Sequence, residues 1–136
     1  MDKNDITHAR TCVYNVNYHI VWSVKYRHSV LEGGIDEYLK QVLQEIANEK
    51  DFIIHTMEVM PDHVHVFASG HPKISPSYMV KMLKGISGRK LFLKYPEIKK
   101  KLWKGQLWNS SFYLETVGSI SEEAIKKYIE NQKIRG

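Results

Sequence analysis

The sequence predicts an α+β domain, and three observations carry that expectation. Runs of β-branched and aromatic residues with partial alternation recur along the chain. Between them lie segments whose apolar positions return at helical spacing. Turn-forming residues punctuate the two kinds of segment, with no internal repeat, linker or low-complexity stretch. With 136 residues, 43% of them apolar, and three Trp, eight Tyr and four Phe, the chain has the size and core material of one domain, residues 1–136.

Residues 13–25 contain Val13, Tyr14, Val16, Tyr18, Ile20, Val21, Trp22 and Val24, a composition suited to a first strand. Gly33 and Gly34 then mark a turn. From 35 to 50 the apolar residues Ile35, Leu39, Val42, Leu43, Ile46 and Ala47 recur at helical spacing with charges between them, which predicts an amphipathic helix. Residues 52–60 and 63–69 read as two strands joined through Pro61-Asp62 in a hairpin.

Ser75 followed by Pro76 has the form of an N-cap with proline at the first helical position. Met79, Met82, Leu83 and Ile86 then mark the buried face of a second helix, with a bend expected near Gly85 and Gly88. A lysine-rich connection leads to a fourth strand at 111–117, closed by Gly118. Ser119 with Glu122 forms a capping box for a last helix that places Ile120, Ala124, Ile125, Tyr128 and Ile129 on one face. The order is β-α-β-β-α-β-α. Without its last helix this is the ferredoxin-like split β-α-β arrangement, an antiparallel sheet with two helices on one face.

Several classes are disfavoured by composition. No stretch reaches the roughly 18–20 apolar residues that a membrane span needs, and the opening MDKNDITHAR is too charged for a signal peptide, so a cytoplasmic protein is expected. Cys12 is the only cysteine, which rules out an internal disulfide or a multi-cysteine zinc site. Any metal must use His, carboxylate or amide ligands.

The net charge of +5 is modest but unevenly placed. Residues 73–104 hold ten Lys or Arg against the single acid Glu97, whereas residues 31–62 hold eight acids and two lysines. A basic half of this kind suits phosphate neutralisation, although a solvated helix face explains the lysines equally well.

The triplet His63-Val64-His65 lies in a predicted strand, so both imidazoles share one face while Val64 faces the other way. Two ligands side by side suit one metal, but an isolated His-x-His is also compatible with two plain strand histidines. If the two-residue turn sets a direct register, Glu58 lies opposite His65 and is placed to orient an imidazole. Tyr128 and Gln132 are four apart and neighbours on one helix face, as a nucleophile and an amide ligand need to be. A packing Tyr and a surface Gln is the alternative.

A resemblance separates these readings. VMPDHVHVFAS at 59–69 resembles the HUH motif of the single-tyrosine transposases of small single-strand insertion sequences, to which the REP-associated tyrosine transposases are related. YHIVWSVKYR at 18–27 is similar to their first strand, LKGISGRKLF at 83–92 to their second helix, and LWNSSFYLETVG at 107–118 to their fourth-strand block. Tyr128 and Gln132 match their nucleophile helix, and the likeness spans nearly the whole chain.

The resemblance implies that His63, His65 and Gln132 hold a divalent ion, Mg²⁺ or Mn²⁺, and that Tyr128 attacks single-stranded DNA to form a 5′-phosphotyrosine. It further implies excision and insertion of an element with hairpin-forming ends by a prokaryotic homodimer, with the tyrosine able to act in trans, and no nucleotide cofactor. Lys81, Lys84, Arg89 and Lys90 are candidate phosphate contacts, and Trp103, Trp108 or Tyr113 candidate stacking partners for unpaired bases. Three alternatives stay open at this point: a non-catalytic ferredoxin-like module binding single-stranded nucleic acid, a domesticated palindrome-processing relative, and a plain zinc hydrolase.

Overall fold

The computed structural model describes residues 17–71, 73–102 and 105–117. Its elements are β1 (Asn17–Ser23), a 3₁₀ turn (Lys25–Arg27), α1 (Ile35–Glu49), β2 (Phe52–Met60), β3 (His63–Gly70), α2 (Pro76–Lys94), a short α3 (Pro96–Lys101) and β4 (Tyr113–Val117). The sheet order is β2-β3-β1-β4 with every pairing antiparallel, the ferredoxin-like order expected from the pattern. The predicted last helix lies outside the described residues.

Alternation divides the sheet into two faces. Ile20, Trp22 and Val24 of the first segment, Ile54 of β2, and Val64, Val66 and Ala68 of β3 point to one side. There they join Leu39, Val42, Leu43 and Ile46 of α1 and Met79, Val80, Leu83 and Leu91 of α2 in a single core. His19, His63, His65 and Phe67 project to the opposite face, and they too are buried. β3 is therefore enclosed on both sides along His63 to Ser69, as a central strand should be.

The hairpin meets the expected direct register, with Met60 opposite His63, Val59 opposite Val64 and Glu58 opposite His65. A bulge between Ile54 and Thr56 inserts His55 as an extra residue in β2. This extra residue reverses the alternation of β2, so that Ile54 and Met57 both face the core and Glu58 falls on the histidine face.

Ser75 caps α2 as predicted, its Oγ accepting from the backbone N–H of Tyr78 at 3.0 Å with Pro76 in the first turn. The helix runs without interruption through Gly85 and Gly88. Gly88 lies against Trp108, whose indole would be in ordinary van der Waals contact, 3.5 Å, with an added Cβ. Trp108 stands edge-on to Trp22, and its Nε1–H donates to Ser87 Oγ at 3.1 Å.

The lysine-rich connection is folded rather than open. Pro96 starts α3, Glu97 sits at its positive end, Lys99 to Lys101 sit at its negative end, and Ile98 anchors it in the core. Beyond it, residues 107–109 run beside the end of β1 through Lys25 N–H to Leu107 O (2.8 Å) and Asn109 N–H to Ser23 O (2.9 Å).

Gly85 is exposed on α2, and nothing lies within 4 Å of a Cβ built there. Gly85→Ala should stabilise the domain by about 0.5–1 kcal/mol, read as a higher urea midpoint at unchanged slope.

Candidate active site

β3 brings His63 and His65 to one face with ring centroids 4.9 Å apart and their planes at 70°. They are only 8% and 5% exposed. Each contacts a further polar group, His63 its chain neighbour Asp62 and His65 the distant His19.

His63 Nδ1 lies 2.6 Å from Asp62 Oδ1, while Arg27 Nε donates to Asp62 Oδ2 at 2.9 Å. A carboxylate can only accept, so His63 Nδ1 carries a proton, and in the neutral ring the lone pair is then on Nε2. Burial acts to raise the Asp62 pKa, but the hydrogen bonds from His63 and Arg27 outweigh it and hold the carboxyl below its usual range.

Arg27 reaches Asp62 because Tyr26 (φ 58°) and Arg27 (φ 56°) both take left-handed backbone, a conformation costing about 1–2 kcal/mol per non-glycine residue. The hairpin tip is also tied down by Val24 N–H to Asp62 O (2.8 Å) and Leu31 N–H to Pro61 O (2.9 Å). The turn that carries Asp62 is thus anchored on two sides.

His65 is approached differently. His19, 1% exposed, lies flat between His65 and Phe67, with interplanar angles of 12° and 10° and centroid distances of 5.4 and 4.8 Å. Its Nε2 is 3.2 Å from His65 Nδ1, and its Nδ1 is 3.4 Å from Glu115 Oε1. The other Glu115 oxygen accepts from the Tyr113 hydroxyl at 2.6 Å. Burial pushes the His19 imidazole below its ordinary pKa range, against the opposing pull of Glu115. The same Glu115 hydrogen bond raises the Tyr113 phenol.

Of the residues singled out from sequence, the structure brings together His63, His65 and Glu58, with Glu58 opposite His65 on the same face. Asp62, Arg27, His19 and Glu115 were not singled out. Asp62 had a local signal, since it precedes His63, whereas His19 and Glu115 are 96 residues apart and meet only through the β1–β4 register. Among the described residues no three His, Cys, Asp or Glu side chains are arranged to hold a metal. Gln132, the expected third ligand, lies outside the described residues, as do Tyr128 and Trp103.

The basic candidates divide by environment. Lys81 and Arg89 are exposed and make no ion pair among the described residues. Lys90 sits 3.8 Å from Glu45 across α1 and α2. Lys84 is half-buried and donates to the carbonyls of Asn109, Ser110 and Ser111 at 2.6, 3.3 and 3.4 Å, with burial lowering its pKa. It holds the approach to β4 in place. Lys84 and Arg89 line an open cavity of about 380 Å³ with Phe92, Gln106 and Asn109. Trp108 packs in the core, and Tyr113 is exposed.

The ferredoxin-like sheet thus presents two buried histidines on its central strand, one backed by a carboxylate and the other by an imidazole. The family described as "Transposase IS200 like" matches residues 12–132, and the chain belongs to that family. It is a transposase of the insertion-sequence type and a DNA-processing enzyme.

Its relatives include the ISDra2 transposase TnpA of Deinococcus radiodurans, 47% identical over 124 residues, which cover 91% of this chain and 89% of the relative. The transposase for insertion sequence element IS200 of Salmonella typhimurium is 30% identical over 131 residues, covering 96% of this chain and 84% of the relative. A crystal structure of a transposase from Deinococcus radiodurans R1 superposes with a TM-score of 0.71 at 40% identity, covering 85% of this chain and 89% of that one. The REP-associated tyrosine transposase bound to a REP hairpin shares the fold at a TM-score of 0.56 and 14% identity, over 83% of this chain and 62% of its own. Among the described residues no helix is long and apolar enough to cross a membrane.

Asp62 gives a pH-dependent prediction. Its carboxyl pKa is depressed in the fold relative to the unfolded value of about 3.9, so its stabilisation is complete above that value and is lost as pH falls through the lower folded value. In EDTA, Asp62→Asn should cost on the order of 1–2 kcal/mol at neutral pH, and the gap to wild type should close in acid, as measured by urea midpoints across a pH series.

Proposed function

We propose that this transposase cleaves and rejoins single-stranded DNA through a 5′-phosphotyrosine on Tyr128, with a divalent ion held by His63, His65 and Gln132. The observation that carries the reading is the pair of buried imidazoles on β3, with His63 Nδ1 committed to Asp62 so that the Nε2 of the neutral ring is left with a lone pair for a metal. Neutral imidazole nitrogens and an amide oxygen fit Mn²⁺ somewhat better than Mg²⁺. When bound, the ion supplies Lewis-acid polarisation of a phosphoryl oxygen.

The chain's own residues do the rest. The Tyr128 phenolic oxygen forms a bond to phosphorus, its proton passes to solvent or a nearby base, and the bond from phosphorus to the 3′ oxygen breaks. That oxygen takes up a proton and leaves as a 3′-hydroxyl. One phosphoester replaces another, so no ATP is needed, and attack by a new 3′-hydroxyl reverses the step and joins strands. Asp62 keeps the His63 ring in one orientation, and Glu58 borders His65 from β2.

A single nucleophile holds one cleaved end, whereas excision and insertion each exchange two, so the working unit in this reading is a homodimer in which the tyrosine can act in trans. The bound REP hairpin of the structural relative supports hairpin-forming single strands as the DNA partner. Lys81, Arg89 and Lys90 on α2, with Trp103, are the side chains we assign to such DNA, and Lys84 supports them by holding the loop beside α2. The chemistry has its substrate in the cytoplasm of a prokaryote.

The test uses labelled single strands from the DNA flanking the gene. Wild-type protein with Mn²⁺ or Mg²⁺ should form a denaturant-resistant, protease-sensitive DNA adduct that duplex DNA does not give. Tyr128→Phe should form none, and EDTA should suppress it in wild type. An adduct that persists in Tyr128→Phe overturns the nucleophile, and one undiminished by EDTA overturns the metal.

A further inference from the structure

We infer that His19 and Glu115 act as a positioning pair that determines which ring nitrogen of His65 faces the metal. The inference rests on the metal reading above, but its structural core does not need the ion. Glu115 Oε2 is taken by the Tyr113 hydroxyl, and Oε1 faces His19 Nδ1. Because a carboxylate only accepts, the proton of neutral His19 belongs on Nδ1, which leaves Nε2 as an acceptor. The atom 3.2 Å from that acceptor is His65 Nδ1, which must therefore be the donor. The lone pair of His65 is then on Nε2, matching the state Asp62 sets for His63.

Both histidines are thus backed by a carboxylate. Asp62 acts directly, whereas Glu115 acts through a second imidazole. His19 is held for this work by its position between the His65 and Phe67 rings, and by β1 lying between β3 and β4. Partners behind a metal-binding histidine set its tautomer and orientation, and their loss typically weakens metal affinity about 10- to 100-fold.

A purely structural role predicts something different. If His19 were only an aromatic filler, Phe would replace it, since Phe stacks on both neighbours but cannot accept a proton. The test therefore compares wild type, His19→Phe and Glu115→Val, the last a strand-compatible change at a partly exposed site.

In metal-free, ¹⁵N-histidine-labelled protein, ring-nitrogen chemical shifts should show His65 protonated on Nδ1 in wild type, with that preference lost in both variants. Mn²⁺ titration followed by electron paramagnetic resonance should show dissociation constants raised about 10- to 100-fold in His19→Phe. A wild-type His65 protonated on Nε2, or a His65 tautomer unchanged in both variants, overturns the inference. So does Mn²⁺ affinity in both variants equal to that of a binding-competent wild type. Wild-type protein that binds no Mn²⁺ overturns the metal reading instead, and the nitrogen shifts still decide the tautomer.

Discussion

The arrangement depends on the double burial of β3. A strand closed on both faces must satisfy two different chemistries by alternation alone, and HVHVFAS does so with Val64, Val66 and Ala68 on one side and His63, His65 and Phe67 on the other. A slip of one residue would drive two imidazoles into an aliphatic core and turn three aliphatic side chains onto the polar histidine face. The hydrophobic effect that packs α1 and α2 on the sheet is therefore also what aims the histidines. Register is held from both ends, by the Pro61-Asp62 turn tied to Val24 and Leu31 and by the bulge at His55.

The polar face is organised by acceptors at its margins. Asp62 and Glu115 sit at opposite ends of an imidazole series and are partly exposed, so their charges retain some hydration while the rings between them do not. Arg27 and Tyr113 occupy the second oxygen of each carboxylate, which leaves one oxygen per carboxylate directed at a histidine. The left-handed backbone at Tyr26 and Arg27 is part of the same construction, because it delivers the guanidinium to Asp62.

Much of the fold was legible because its signals are local. The helical spacing of Leu39, Val42, Leu43 and Ile46, the Ser75-Pro76 cap and the two-residue turn before His63 each state their structure within a few positions. Counting register from the turn placed Glu58 correctly, whereas counting from Phe52 would have placed it in the core, since nothing in FIIHTMEVM announces the bulge. α3 was missed because three consecutive lysines conceal the single buried residue, Ile98, that holds it. A charge count likewise could not separate Lys84, which binds three carbonyls, from the exposed Lys81. The His19–Glu115 contact is not a sequence signal at all, because it exists only where β1 and β4 pair.

These contrasts bear on how the enzyme accommodates polar burial. Charging several imidazoles on one water-poor face would be opposed by both like-charge repulsion and desolvation. Neutral rings avoid that cost, but each neutral imidazole needs one donor and one acceptor role assigned, and an unassigned ring would be free to turn. Carboxylates at both ends settle the assignment in one direction, outward toward Asp62 for His63 and toward Glu115 for His19 and His65. Proton positions run away from the centre of the face and lone pairs run toward it. The same geometry that makes the buried cluster tolerable in the folded protein thus makes its centre electron-rich, which is the condition a bound cation requires.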